Sequence, residues 1–134
     1  MLKNIALIGI IVEDLTKAKE FYQNLGFSVD LELDLPQIKI RNAFVSLQGT
    51  SIELIEAYPD TKLPYHRDGV INHITCEVEN SIEETIEKMK RIGVEFITEV
   101  ESCTVENMGT VKFVFGKGVN GELIELWEKN RQLA

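Results

Sequence analysis

Glu53, His73 and Glu125 are the residues of this chain whose types and placing point to chemistry. A carboxylate and an imidazole can each carry a proton or ligate a metal ion. Repetition links the three. Ile52-Glu53-Leu54-Ile55-Glu56 and Ile124-Glu125-Leu126-Trp127-Glu128 are near copies, each following a Phe-Val pair (Phe44-Val45, Phe113-Val114) and a turn containing glycine. Leu7-Ile8 through Val12 likewise parallels His73-Ile74 through Val78, and Asp14-Leu15 parallels Ser81-Ile82. The chain therefore reads as two copies of one supersecondary unit. Glu53, His73 and Glu125 occupy equivalent places in the copies, from which side chains can converge on a shared cleft. Leu7 stands in the first copy where His73 stands in the second.

Each residue also has a plainer reading. A lone strand histidine is commonly a hydrogen-bonded interior or rim residue, and a strand carboxylate is commonly solvated. Glu53 and Glu125, however, share the same isoleucine and leucine neighbours, which favours lining a cleft. Glu56 and Glu128, at the strand ends, read as surface charges. His66, in the linker, is the other imidazole able to replace a missing ligand.

The elements that must position these groups follow from periodicity. Ile5 to Val12 is β-branched, short and bounded by Asn4 and Glu13-Asp14, so it reads as a buried strand. The period then changes: Leu15, Ala18, Phe21, Tyr22 and Leu25 fall on one helix face that Asp14 caps and Gly26 ends. In the second copy Ser81 with Glu84 is a capping-box pattern, Ile82, Ile86 and Met89 form the stripe, and Gly93 terminates it. Strand-like segments follow each helix: Phe27 to Leu33, Ile38 to Leu47 and Ser51 to Ala57, then Val94 to Val100, Thr110 to Phe115 and Glu122 to Trp127. The expected class is α+β, two βαβββ repeats (about 4–57 and 70–128) joined by a linker over 58–69 that holds Pro59, Pro64 and Asp68-Gly69.

Alternation along strands assigns faces. Ile52 and Leu54 oppose Glu53, Ile55 and Ala57, while Ile124 and Leu126 oppose Leu123, Glu125 and Trp127. If helices cover the Ile/Leu faces, the glutamates look into the concave side of curved, mixed sheets. In the strand of His73, Ile74, Cys76 and Val78 then face the helix, and His73, Thr75 and Glu77 face the cleft. Leu7, Ile11, Ile55 and Trp127 give that cleft an apolar, ligand-binding lining.

At 134 residues, with 44% hydrophobic and 27% charged side chains, the composition is that of an ordinary soluble single domain. Two halves of this size are each marginal alone, so a shared core is expected. Fourteen basic against twenty-two acidic residues give a formal charge of -8 with no basic stripe, which argues against nucleic acid and anionic membrane as partners. No apolar run approaches the ~20 residues of a membrane helix, and the N-terminus lacks the pattern of a signal peptide. A cytoplasmic protein is expected, with Cys76 in an apolar strand and Cys103 in a polar loop as two reduced thiols.

Ile8-Gly9-Ile10-Ile11-Val12-Glu13-Asp14-Leu15, followed by Ala18-Lys19-Glu20-Phe21-Tyr22 and Leu25-Gly26-Phe27, resembles the opening of the vicinal oxygen chelate superfamily. That group includes glyoxalase I, methylmalonyl-CoA epimerase, extradiol dioxygenases, and the fosfomycin and bleomycin resistance proteins. Asn72-His73-Ile74 and Asn120-Gly121-Glu122-Leu123-Ile124-Glu125-Leu126 extend the likeness over nearly the whole chain. The resemblance implies a divalent-metal site at Leu7, Glu53, His73 and Glu125, of which Leu7 cannot ligate. Two carboxylates and an imidazole suit Zn²⁺, Ni²⁺, Co²⁺ or Mn²⁺, and three protein ligands serve many catalytic sites.

Two functions follow. The first is a glyoxalase-like metal-dependent lyase or isomerase acting on a small carbonyl or thioester, with Glu53 or Glu125 as the proton carrier. The second, which Leu7 favours, is a metal-free small-molecule-binding protein of the bleomycin resistance type. A homodimer is the expected assembly, its cleft lying within one chain or across a domain-swapped pair. Extradiol dioxygenase and fosfomycin-modifying chemistry need the histidine absent at position 7.

Overall fold

Two capped helices, each crossing one face of a mixed sheet, organise the protein. The structure, a computed structural model, describes residues 1–105 and 109–129. The chain divides into two compact units: Leu7–Asn72, and Met1–Ala6 together with His73 onward. Among the described residues no helix is long and apolar enough to cross a membrane.

In the Leu7–Asn72 unit, the later part of β1 (Leu2–Ile11) leads to α1 (Leu15–Asn24), then β2 (Ser28–Leu35), β3 (Ile40–Leu47) and β4 (Thr50–Ala57). β1 pairs parallel with β4, and β3 runs antiparallel to both β4 and β2. The β3–β4 hairpin turns on two residues, Gln48 and Gly49, both at positive φ (52° and 83°), as a tight hairpin of this length requires.

α1 begins where expected: Asp14 is extended, and its Oδ1 accepts the Lys17 N–H at 3.0 Å. Leu15, Ala18 and Tyr22 pack against Ala43, Val45 and Leu54, with Ile10, Val12 and Ile52 at the margin of that cluster. Phe21 and Leu25 are exposed, contrary to the expected stripe. Phe21 lies on the flank of the apolar arc, and Leu25 is the C-cap, beyond the last helical turn.

The other unit repeats the plan with β5 (Ile71–Val78), α2 (Ile82–Arg91), β6 (Glu95–Phe96), β7 (Glu101–Val105), β8 (Gly109–Lys117) and β9 (Leu123–Lys129). β5 pairs parallel with β9, and β8 runs antiparallel to β9, β6 and β7. Ser81 caps α2 by accepting the Glu84 N–H at 3.1 Å. Acidic Glu83 and Glu84 in the first turn and Lys88, Lys90 and Arg91 in the last match the helix dipole. Ile82 and Met89 are buried with Cys76, Val78, Val114 and Leu126, and Ile86 packs against them.

Three expectations need correction. The strand expected over Val94 to Val100 is only Glu95–Phe96, and the supposed polar loop around Cys103 is strand β7, with Cys103 buried. Both short strands lie along β8, Phe96 opposite Gly116 and Glu101 opposite Phe113. Between them Ile97 donates to Phe115 O, while Thr98 Oγ1 takes the Phe115 N–H at 3.0 Å. A hydroxyl has replaced a strand carbonyl in the ladder, and the four residues 97–100 span only two residues of β8, a bulge from which Val100 still packs on the α2 core. The third correction is one of cover: Ile74 keeps the side of β5 that Cys76 and Val78 share and pairs with Ile124, but it is exposed, while Cys76 and Val78 belong to the α2 core.

Candidate functional site

The helix-free face of the Leu7–Asn72 unit is built by ladder register. Gly9 pairs with Glu53 and Ile11 with Ile55 across the parallel β1–β4 ladder, and Phe44 and Asn42 stand opposite Glu53 and Ile55 on β3. Since α1 covers Ala43, Val45 and Leu54, the alternate positions Asn42, Phe44, Glu53 and Ile55 point away from it. Leu7 lies on that face too, two residues before Gly9. Leu7, Ile11, Asn42, Glu53 and Ile55 are all buried. The Asn42 amide Nδ2 donates to Glu53 Oε2 at 2.7 Å.

The equivalent face of the other unit carries His73 and Thr75 on β5, Glu125 and Trp127 on β9, and Phe113 and Phe115 on β8. Thr75 stands opposite Glu125 across the β5–β9 ladder, as Gly9 stands opposite Glu53. Its hydroxyl donates to Glu125 Oε1 at 2.7 Å, and His73 Nε2 lies 3.3 Å from the same oxygen. The Phe115 ring meets the imidazole edge-on, centroids 5.4 Å apart. Trp127 is half-buried with the Lys129 ammonium 5.6 Å from its ring centroid.

The ladders also correct the alignment of the repeats. Phe44 opposes Glu53, but the residue opposing Glu125 is Phe115, while Phe113 opposes Trp127. The Phe-Val pairs matched in sequence are thus two residues out of step, because β8 and β9 join through the five residues Gly118–Glu122 rather than a two-residue turn.

Glu53, His73 and Glu125 are 6%, 4% and 7% exposed, so solvation is excluded for each. Each offers a ligand atom of the kind a divalent cation takes. Two ligands on one cation at ~2.1 Å each stand about 3.0–3.4 Å apart, and the 3.3 Å between His73 Nε2 and Glu125 Oε1 falls in that range. The donor set and this spacing fit a metal ion; Leu7 supplies nothing to it.

Three secondary assignments are settled by contacts. His66 makes its contacts within its own loop, Nε2 at 3.4 Å from Asp68 and Nδ1 accepting from Leu63 N. Glu128 is not a free surface charge: its Oε1 accepts the Ile82 N–H at 2.7 Å, at the start of α2. Glu56 pairs with Arg41. Asn42 was missed from the sequence, where its signal was an amide alternating with Phe44 in an otherwise apolar strand centre.

Comparison with known proteins places these observations. Residues 8–115 match the family described as the Glyoxalase/Bleomycin resistance protein/Dioxygenase superfamily. Methylmalonyl-CoA epimerase from Mycobacterium tuberculosis is similar in structure, with a TM-score of 0.80 at 22% identity, over 98% of this chain and 91% of that one. A hypothetical protein from Bacillus halodurans C-125 gives 0.77 at 30% identity, over 97% and 96%. A Streptomyces coelicolor methylmalonyl-CoA epimerase in complex with 2-nitronate-propionyl-CoA gives 0.78 at 21% identity, over 98% and 97%. No curated protein matches in sequence.

Proposed function

The chain belongs to the glyoxalase/bleomycin resistance protein/dioxygenase superfamily, and from that membership we propose that it is a metal-dependent lyase or isomerase acting on a small carbonyl or thioester compound. The observation that carries the reading is the buried His73–Glu125 pair, with donor atoms 3.3 Å apart and Thr75 fixing the carboxylate. Glu53 joins them in the proposed site, so that Glu53, His73 and Glu125 would hold one divalent ion. When bound, such an ion supplies Lewis-acid polarisation of a substrate carbonyl oxygen.

The protein's own residues do the rest. Thr75 and Asn42 each donate one hydrogen bond to a carboxylate, fixing the orientation in which it meets a ligand. A glutamate oxygen outside those hydrogen bonds is the proton carrier at the carbon next to the carbonyl, and Glu53 and Glu125 both qualify. Leu7, Ile11 and Ile55 keep that surroundings apolar, which strengthens every charge interaction there. Trp127 is the proposed contact for the substrate's apolar part, and a homodimer is the proposed assembly.

Leu7 favours a second reading, metal-free binding of a small apolar ligand, because it buries an alkyl group where a ligand would complete the set. Metal analysis of protein purified without a histidine tag separates the two. Exchange of the α-proton of methylmalonyl-CoA for deuterium in D₂O, followed by proton NMR, tests the chemistry. Stoichiometric Zn, Ni, Co or Mn with exchange supports the enzyme; neither, with retained ligand binding, supports the binder.

A further inference from the structure

Asn42 is the buried polar residue that the reading above uses only in half. A carboxylate only accepts hydrogen bonds, so the side of the amide that meets Glu53 Oε2 at 2.7 Å is the NH₂. The amide oxygen is thereby turned away. Oδ1 is buried and has no hydrogen-bond partner among the described residues, although Asn42 is only 2% exposed. Burying an amide oxygen without a donor is unfavourable, and folding does not demand an amide here. Phe113, the counterpart in the other unit, stands opposite Trp127 as Asn42 stands opposite Ile55, and it is apolar.

We propose that Asn42 works on two sides: through Nδ2 it positions Glu53 for metal binding, and through Oδ1 it selects a ligand that carries an O–H or N–H donor. This rests on the metal-site reading of Glu53, His73 and Glu125 and names the ligand chemistry that reading leaves open. A ligand that offers only acceptors leaves Oδ1 unsatisfied; one with a hydroxyl or amide N–H beside its metal-directed oxygens meets it.

The test uses calorimetric titration with Zn²⁺, followed by titration of the zinc-loaded protein with acetohydroxamic acid and N-methylacetohydroxamic acid. Each probe gives up its hydroxyl proton on chelating zinc and presents the same pair of oxygens, so that only the first then retains a donor, its N–H. The natural protein should bind zinc and prefer acetohydroxamic acid. In Asn42→Leu, zinc affinity should fall about 10- to 100-fold and the preference should shrink roughly tenfold. Asn42→Ser, which loses the reach to Glu53 without filling the space, serves the same comparison if the leucine variant does not fold, with circular dichroism melting as the check. Unchanged zinc affinity and unchanged probe preference in a folded variant overturn the proposal while leaving the metal site standing. Weaker zinc binding with an unchanged preference overturns the ligand-selecting half. A natural protein that binds no zinc, nickel, cobalt or manganese removes the metal-site reading itself, and the proposal with it.

Discussion

Thr75 stands directly across the parallel ladder from Glu125 and gives its only hydroxyl proton to Oε1 at 2.7 Å. Gly9, the counterpart in the other unit, has no side chain to give, and Glu53 is held instead by Asn42 from the antiparallel side. Equivalent carboxylates are thus fixed from opposite flanks. Thr75→Val keeps the shape of the side chain and removes the donor. It should destabilise the fold by ~2 kcal/mol, the typical value for a buried hydrogen bond to a charged group. Divalent-metal affinity should weaken about 10- to 100-fold. Denaturant melts and zinc titrations of the variant check both; a loss of stability without a loss of affinity would leave the Thr75 hydrogen bond a support of the fold alone.

Leu7 shares the helix-free face with Glu53 and precedes by two residues the glycine that pairs with it. Leu7→His should raise affinity for Zn²⁺ by at least about tenfold, as an added ligand exceeds what an outer partner contributes. Isothermal titration of natural and substituted protein measures it. Equal affinities would mean that position 7 does not face the proposed ion.

Lys112 donates a hydrogen bond to Glu83 in the first turn of α2, holding that carboxyl below the usual carboxylate range, while Glu83 holds the Lys112 ammonium above its own. A depressed carboxyl contributes stability above its unfolded pKa and loses it as pH falls through the folded one. A raised ammonium contributes below its unfolded pKa and loses it as pH rises through the folded one. The pair is therefore fully effective between about pH 5 and 10. Glu83 is exposed and Lys112 partly so, and screening limits the contribution to about 0.2–1 kcal/mol. Lys112→Met should melt slightly lower than the natural protein at pH 7, and the gap should narrow as acid protonates Glu83. A gap that does not change as the pH is lowered would assign the effect to packing.

Burial pushes the Cys76 thiol up, and Cys103 is buried on β7. Neither should react with a thiol-specific disulfide reagent in the folded protein, and both should react once denaturant is added. Rapid labelling of Cys103 under native conditions would contradict its burial on β7.

Period-two alternation was enough to set Glu53 and Glu125 opposite the isoleucine and leucine positions that pack under the helices, since parity along a strand needs no knowledge of its neighbours. The caps Asp14 and Ser81 were equally local. What could not be read was anything that depends on register. Asn42 reaches Glu53 diagonally across two strands, and which residue lies diagonally depends on the length of the turn between them. The same ignorance of turn length put Phe113 where Phe115 belongs. Thr98 escaped because a hydroxyl that replaces a ladder carbonyl leaves no mark on hydrophobic periodicity. Glu128 was read as solvated because its partner, the first amide of α2, lies in a distant stretch of chain.

The break between β6 and β7 gives the second repeat a place where chain length is free to vary. Residues 97–100 already exceed what β8 can pair, and its match in the first repeat is the smaller shift between Val29 and Leu31, also beside the phenylalanine that opposes a glutamate. Lengthening or shortening the loop there leaves β8, β9 and the Thr75–Glu125 contact in register. One residue added within β9 before Glu125 would instead turn every later side chain to the opposite face. A lineage of such proteins can therefore remodel the rim of this unit by insertion and deletion, while the strands bearing the acids tolerate substitution alone.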